Sequence, residues 1–234
     1  MRLRILGTRG EIDESAPGHR NHSGVLVNNT LLLDVGEKEF LSLKPEQILI
    51  THLHPDHAFF IVESGEIGVP VYAPESYHNS VTVKVLPKEL VSGDFRVRPV
   101  PTHHSKKVRS SAFVVEDGSA RICYTGDVIW VNKEFHPILK GSDLIITDGS
   151  YLRKGGMVIR DPETGLLFGH NGIPDLIRLF RNLTNHLLFV HFGSWFFKDI
   201  SASKKKLEEL GIENGMDILV GYDGMELDTQ DLKI

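Results

Sequence analysis

Residues 51–57 read Thr51-His52-Leu53-His54-Pro55-Asp56-His57, three imidazoles and a carboxylate in six consecutive positions from His52. They follow the apolar run Ile48-Leu49-Ile50, which reads as a buried strand beginning beyond the turn at Pro45. A strand that runs out into His-x-His-x-Asp-His offers its donors from a tight loop at a sheet edge. His52 and His54 can turn toward one metal ion, while Asp56 and His57, further on, can reach a second. Neutral imidazole and carboxylate are the donors expected for zinc, manganese or ferrous iron. A solvated histidine-rich loop or a purification tag would share the composition. A tag, however, is terminal and has no strand leading into it, and a solvated loop needs no such order.

Other candidates stand at strand ends. Asp34 closes Leu31-Leu32-Leu33-Asp34 and precedes Val35-Gly36, where it could hydrogen-bond a ligand imidazole and fix its tautomer. A plain surface turn is the competing reading. His103 and His104 follow Val100-Pro101-Thr102; strand alternation puts them on opposite faces, so only one should join His52 and His54. Asp127 ends Ile122-Cys123-Tyr124-Thr125-Gly126-Asp127, and its two oxygens could bridge two cations. In extended geometry Cys123 and Thr125 share its face, although a buried structural cysteine is the simpler role for Cys123. His191 ends Leu187-Leu188-Phe189-Val190 and could serve the second metal with Asp56 and His57. His170 lies just before the strongest helical pattern, where it could handle a proton or hold an anion. His19, His22, His78, His136 and His186 carry no spacing argument and read as surface or core.

The elements that must position these residues are mostly short strands. Apolar segments recur at 3–6, 25–27, 31–34, 48–50, 69–73, 81–86 and 95–99, then at 112–116, 121–125, 144–147, 187–191 and 218–221. Hairpin-type turns are expected at Asn28-Asn29 and Asp117-Gly118. Two helices are expected, Pro174–Leu183 with an apolar face and Ser201–Leu210, the latter capped by Ser201 and ended by Gly211. No internal repeat or low-complexity linker divides the 234 residues, so one α/β domain over 1–234, two packed sheets covered by helices, is the expectation. A net charge of −5 leaves no global footprint for long nucleic acid. The single cysteine rules out a disulfide framework and suits a reducing compartment. Residues 1–10 are too short in apolar content for a signal peptide, and no run reaches membrane-spanning length; a cytoplasmic protein, possibly a homo-oligomer, is expected.

In this order of motifs the chain resembles the metallo-β-lactamase superfamily: Asp34, the His52-x-His54-x-Asp56-His57 loop, a single histidine after a strand, Thr125-Gly126-Asp127, and His191 in Val190-His191-Phe192. The ending Tyr222-Asp223-Gly224-Met225 is similar to the family's final strand turn. The resemblance implies a four-layer αββα sandwich and a two-metal hydrolytic site. It implies His52, His54 and His104 on one metal and Asp56, His57 and His191 on the other, with Asp127 bridging. His104 is preferred to His103 because the family's third histidine usually precedes a small residue, here Ser105. The opening Leu6-Gly7-Thr8-Arg9-Gly10 and the Gly169-His170 pair are similar to ribonuclease Z and the small cyclic-phosphate phosphodiesterases, where the matching histidine takes part in catalysis. Asp56 and His170 are thus the candidate catalytic residues. Two departures stand out: Ala58-Phe59-Phe60 follows His57 where a glycine is common, and no Gly/Pro-rich arm for gripping transfer RNA is present.

These readings point to a binuclear hydrolase of a small or nucleotide-derived phosphodiester, with Arg153, Lys154, Arg160, Lys106, Lys107 and Arg109 as a possible basic rim and Gly155-Gly156 as a mobile loop or a turn. The same metals could instead polarise the carbonyl of a lactone or thioester. A non-catalytic, metal-bound module that binds a nucleotide or partner is a third reading, disfavoured by the full ligand set.

Overall fold

Strands buried on both faces need apolar residues on both, and the runs at 31–33, 47–49, 144–148 and 186–190 supply them apart from polar residues at their ends, Gln47, Thr147, Asp148 and His186. In the computed structural model, which describes residues 1–233, they form the centres of two large sheets. The first runs, in spatial order, Glu226–Asp228, Arg2–Gly7, Gly24–Val27, Leu31–Leu33, Gln47–Leu49, Val71–Ala73, Thr82–Val85, Tyr77–His78. The second runs Trp130–Val131, Phe95–His103, Ser110–Glu116, Arg121–Tyr124, Leu144–Asp148, His186–Val190, Asp217–Val220, with Leu90–Ser92 also on Phe95–His103. Each sheet begins as an antiparallel meander and continues as parallel strands.

Alternation along the strands sorts side chains into layers. Leu31, Leu33, Leu49, Leu144, Ile146, Leu188 and Val190 fill the space between the sheets. Ile145, Leu187 and Phe189 face the other way, against the helices Ile173–Phe180 and Ile200–Asn214. Leu32, Ile48 and Ile50 face outward from the first sheet onto Phe40, Phe59 and Phe60. Those aromatics sit on short 3₁₀ turns at Lys38–Leu43 and Phe59–Ile61, so the first sheet's outer cover is thin.

Several element boundaries differ from expectation for identifiable reasons. The strand expected at 95–99 runs to His103 despite Pro99 and Pro101. On one side these prolines face Ser110–Glu116; on the other they fall between the stretches paired with Leu90–Ser92 and Trp130–Val131, so no ladder bond is lost there. The expected helix 174–183 is Ile173–Phe180, with Ile173, Leu176, Ile177 and Phe180 buried at helical spacing. The second helix is capped by Asp199, whose side chain accepts from the Ala202 N–H, and not by Ser201. Gly211 lies inside it, where a Cβ would stand 2.9 Å from the Met216 carbonyl, and Gly215 in the left-handed region ends it at φ +63°. Asn28 and Asn29 both take positive φ, as a tight hairpin requires. An unexpected hairpin, Met157–Arg160 with Leu167–His170, follows Gly155-Gly156 and stands apart from both sheets. No helix among the described residues is long and apolar enough to cross a membrane.

His19 belongs to the core. Its ring lies edge-on to Phe196 at 4.9 Å, and its Nδ1 is 2.9 Å from Thr8 Oγ1, whose proton goes to Asp223. His19 is therefore the donor in the first contact, in its neutral Nδ1–H form. Burial, aided by Lys204 and opposed by Asp223, lowers its pKa to about 4. The folded state then resists a proton that the unfolded chain accepts near 6.5. The resulting stability is full above that pH and is lost as pH falls toward 4, on the order of 2 kcal/mol. Denaturant titrations between pH 7 and 4 should show a steeper loss for the native protein than for His19→Gln. Parallel pH profiles would remove His19 from the acid response.

Candidate metal centre

In both sheets the parallel strands end at the same edge, and every candidate residue of the site lies at or just past such an end or a neighbouring loop. This is where open α/β sheets generally place ligands, because loops there are free of pairing duties. Asp34 follows Leu31–Leu33, the histidine loop follows Gln47–Leu49, Asp127 follows Arg121–Tyr124, and His191 follows His186–Val190. Asp34 and His191 have φ of +59° and +56°, a conformation in which few residues other than glycine are comfortable. Gly126, at φ +57°, lets Asp127 approach the histidine loop: a Cβ there would stand 2.5 Å from Thr51 Oγ1.

The expected residues converge. Donor atoms of His52, His54, His104 and Asp127 lie within 4.8 Å of one another, and so do those of Asp56, His57, Asp127 and His191. Asp127 divides its oxygens between the two groups. Oδ2 is 3.7 Å from His52 Nε2 and 3.5 Å from His104 Nε2; Oδ1 is 3.2 Å from His57 Nε2 and 3.3 Å from His191 Nε2. His103 is exposed and 3.0 Å from Asn132 Oδ1, on the opposite face from His104.

Hydrogen bonds fix which nitrogens lack protons. His104 Nδ1 donates to the Gly169 carbonyl at 2.9 Å. Thr51 gives its hydroxyl proton to Asp34, so His52 Nδ1 donates to Thr51 Oγ1 at 3.1 Å. His57 Nδ1 donates to Asp34 Oδ2 at 2.7 Å, and His191 Nδ1 to Ser150 Oγ at 2.9 Å, since that hydroxyl gives its proton to Asp148. In the neutral rings each Nε2 then turns a lone pair inward. Those of His52 and His104 point at His54 Nδ1 from 3.0 and 3.3 Å, and that of His191 at Asp56 Oδ2 from 2.9 Å. Asp127 Oδ1 is buried without a hydrogen-bond partner. Imidazole nitrogens crowded on one another and on carboxylates, with an orphaned carboxylate oxygen, are what a cation would satisfy, so the donor set fits divalent metal.

The electrostatics differ across the site. Burial, with His57 and His104 nearby, holds His52 well below its usual range, and burial lowers His104 to about 4 against the pull of Asp127. Around His57 burial also disfavours charge, but Asp127, Asp56 and Asp34 outweigh it and raise the imidazole well above its ordinary value. Burial would likewise lower His191, and Asp127 with Asp148 and Asp56 reverses it. A field that favours a proton there favours any cation.

A beta-lactamase superfamily domain model matches residues 41–192, two thirds of the chain, spanning the histidine loop through His191. The chain belongs to this superfamily. None of the curated proteins compared matches it by sequence. Among solved structures it is similar to the metallo-beta-lactamase fold protein YhfI from Bacillus subtilis, at 18% identity and TM-score 0.71, over 97% of this chain and 98% of that one. A diphosphatase from the PhnP family follows at 15% and 0.66, covering 97% of each chain. The short form of human tRNase Z matches at 17% and 0.65, over 98% of this chain and 99% of that one. The αββα sandwich is thus the metallo-β-lactamase fold.

For this superfamily member, sequence reasoning passed over four residues that position the donors. Asp148 ends a strand before Gly149, in the same grammar that singled out Asp34 and Asp127, and it accepts from His170 Nδ1 at 2.7 Å and Ser150 Oγ at 2.6 Å. Ser150 in turn receives His191. Thr51 was legible only as part of the loop. Tyr124 donates to Asp34 Oδ2 at 2.8 Å, while its neighbour Cys123 faces the helices, its thiol pushed up to about 12 by burial and away from the site. The expected basic rim is also corrected. The cleft over the donors, about 370 Å³, is lined by Glu11, Ile12, Tyr151, Met157 and Trp195 beside the candidate ligands and His170, and among the described residues no lysine or arginine lines it. Lys106 is bound to Asp161 at 2.6 Å and Arg160 to the Gly165 carbonyl; Lys107 and Arg109 line a separate groove.

His104→Ala should abolish tight metal binding at the three-histidine group, whereas His103→Ala should retain most of it, read by competition with a chromophoric chelator; the reverse would shift the ligand by one residue. Asp34→Asn should weaken metal binding at the His57 group about 10–100-fold, because the tautomer and ring orientation lose their anchor. An unchanged affinity would make Asp34 purely structural.

Proposed function

We propose that the protein is a metal-dependent phosphodiesterase acting on a small or nucleotide-derived diester. His52, His54 and His104 would hold one divalent cation, zinc, manganese or iron, and Asp56, His57 and His191 a second, with Asp127 shared between them. When bound, such a pair lowers the pKa of water enough to furnish hydroxide near neutral pH and neutralises charge on phosphoryl oxygens.

The observation that carries the reading is His170. It stands beside the two donor groups, its ring stacked on His191 at 5.6 Å, with Nδ1 given to Asp148 and Nε2 left for the cleft. Burial disfavours its protonation, but Asp148 and Asp127 outweigh that and raise its pKa. Asp148 is itself saturated, by the Ser150 N–H and Oγ on one oxygen and His170 on the other, so this corner reads as a positioned proton donor and not as a third metal site. A proton delivered to a leaving alkoxide is what alkyl phosphodiester cleavage needs, whereas thioester opening, which expels a thiolate, needs it less. Asp56 is reserved for the cation, and its carboxyl, which burial would raise, is brought down to about 2 by His57 and His191. The diphosphatase and tRNase among the structural neighbours are consistent with this reading. A similar fold in an isothiocyanate hydrolase shows that the scaffold alone does not decide the substrate.

The test is direct. Chelated protein should be inactive on bis-aryl and alkyl phosphodiesters and regain activity with zinc or manganese. His170→Ala should lower kcat on an alkyl diester about 10²–10⁴-fold at unchanged metal content, and by less on a p-nitrophenyl diester, whose leaving oxygen needs little protonation. Lactonase or thioesterase activity without any phosphodiesterase activity would overturn the proposal.

A further inference from the structure

The loop from Arg9 to Glu14 forms one lip of the cleft, and its placement is tightly set. The Gly10 N–H bonds the Phe192 carbonyl at 3.0 Å, and a Cβ on Gly10 would stand 3.1 Å from His191 Cε1, so the backbone lies directly against that imidazole. The Arg9 guanidinium is consumed by the carbonyls of Ile12 and Arg20, at 2.5 and 2.7 Å. Ser194 Oγ holds Glu14 Oε2 at 3.0 Å and fixes the far end. Glu11 thereby lines the cleft beside Gly10 and Ile12, and Asp13 and Glu14 follow it along the lip.

The cleft lining also includes the aromatic and thioether side chains of Trp195, Tyr151 and Met157. Trp195 is pinned by its Nε1–H on the Gly149 carbonyl at 2.9 Å and by edge contacts to Phe192 and Phe196. Tyr151 donates to Met157 Sδ at 3.3 Å, and both line the cleft. Among the described residues no lysine or arginine lines the cleft, Arg153 is drawn over the Tyr151 ring, and Glu11 sets a carboxylate in the lining, so positive charge inside the cleft would come from the metal pair and His170.

We infer that the cleft selects a small, singly charged diester bearing an uncharged apolar alcohol arm and rejects polyanions, with Glu11 as the discriminating residue and Trp195 as the seat of the arm. This rests on the phosphodiesterase reading. The cleft volume, about 370 Å³, accommodates a group of mononucleotide size and little more. Each further negative charge on the arm meets Glu11 across a partly hydrated cleft, which corresponds to about fivefold to tenfold in kcat/KM.

The experiment uses metal-loaded protein and p-nitrophenyl phosphodiesters whose second alcohol is benzyl, carboxybenzyl or phosphonobenzyl. In low salt kcat/KM should fall in that order, and the spread should narrow at about 0.5 M salt. Glu11→Lys should raise the carboxybenzyl-to-benzyl ratio at least tenfold. Trp195→Ala should lower the benzyl-to-methyl ratio. The same arms on unreactive methylphosphonate monoesters, titrated calorimetrically, read the selection without turnover. A preference for the more anionic arm, or a ratio unmoved by Glu11→Lys, overturns the inference. The expected order in binding with no diester hydrolysed would support the inference and overturn the phosphodiesterase reading alone.

Discussion

The buried carboxylate of Asp34 is the joint on which the site depends. It leaves the first sheet in a left-handed conformation and collects the Thr51 N–H at 2.7 Å, the Thr51 hydroxyl, His57 Nδ1 and the Tyr124 hydroxyl of the second sheet. A carboxylate fully removed from water is costly unless its lone pairs are filled, and here they are filled by groups that must themselves be held still. The same bonds therefore set the histidine loop, choose the His57 tautomer and register one sheet against the other. Asp148 repeats the device on the second sheet, collecting Ser150 and His170 and, through Ser150, orienting His191.

Between these anchors the site is built asymmetrically. The three-histidine side keeps its imidazoles neutral by burial and mutual repulsion, which outweigh the pull of Asp127. The other side surrounds two imidazoles with carboxylates that favour positive charge. Asp127 belongs to both, and its partnerless oxygen shows that protein donors alone do not complete it. Such a cluster is hard to reconcile with a purely structural role, because an apolar core of equal volume would cost less to bury.

Much of this was legible in the sequence because the signals were local. The order His-x-His-x-Asp-His after an apolar strand places its donors in space almost by itself, and the alternation that set His104 apart from His103 is a property of any strand. The resemblance then supplied the pairing of distant motifs. What stayed hidden depended on tertiary context. Pro99 and Pro101 look like strand breakers until the gap between two partner strands is seen beside them. Asp199 caps a helix two residues before the expected Ser201 because competing caps cannot be ranked without the chain's approach angle. Tyr124 lay unread because attention to the Cys123 face led away from it. The hairpin 157–170 shows no core alternation because the whole strand Met157–Arg160 is exposed.

The lysines and arginines after Tyr151 illustrate the same limit at the level of function. Charge density along a sequence says nothing about which way the charges turn, and here Arg160 turns to the Gly165 carbonyl and Arg153 lies over the Tyr151 ring. The donors are fixed by strands buried on both faces, where a slip of one residue would invert every side chain. The lip 9–14 and the hairpin 157–170 carry no such burden. Their exposed positions can change composition without disturbing the core, while Gly10 packed against His191 and the Gly169 carbonyl on His104 tie both segments to the metal centre.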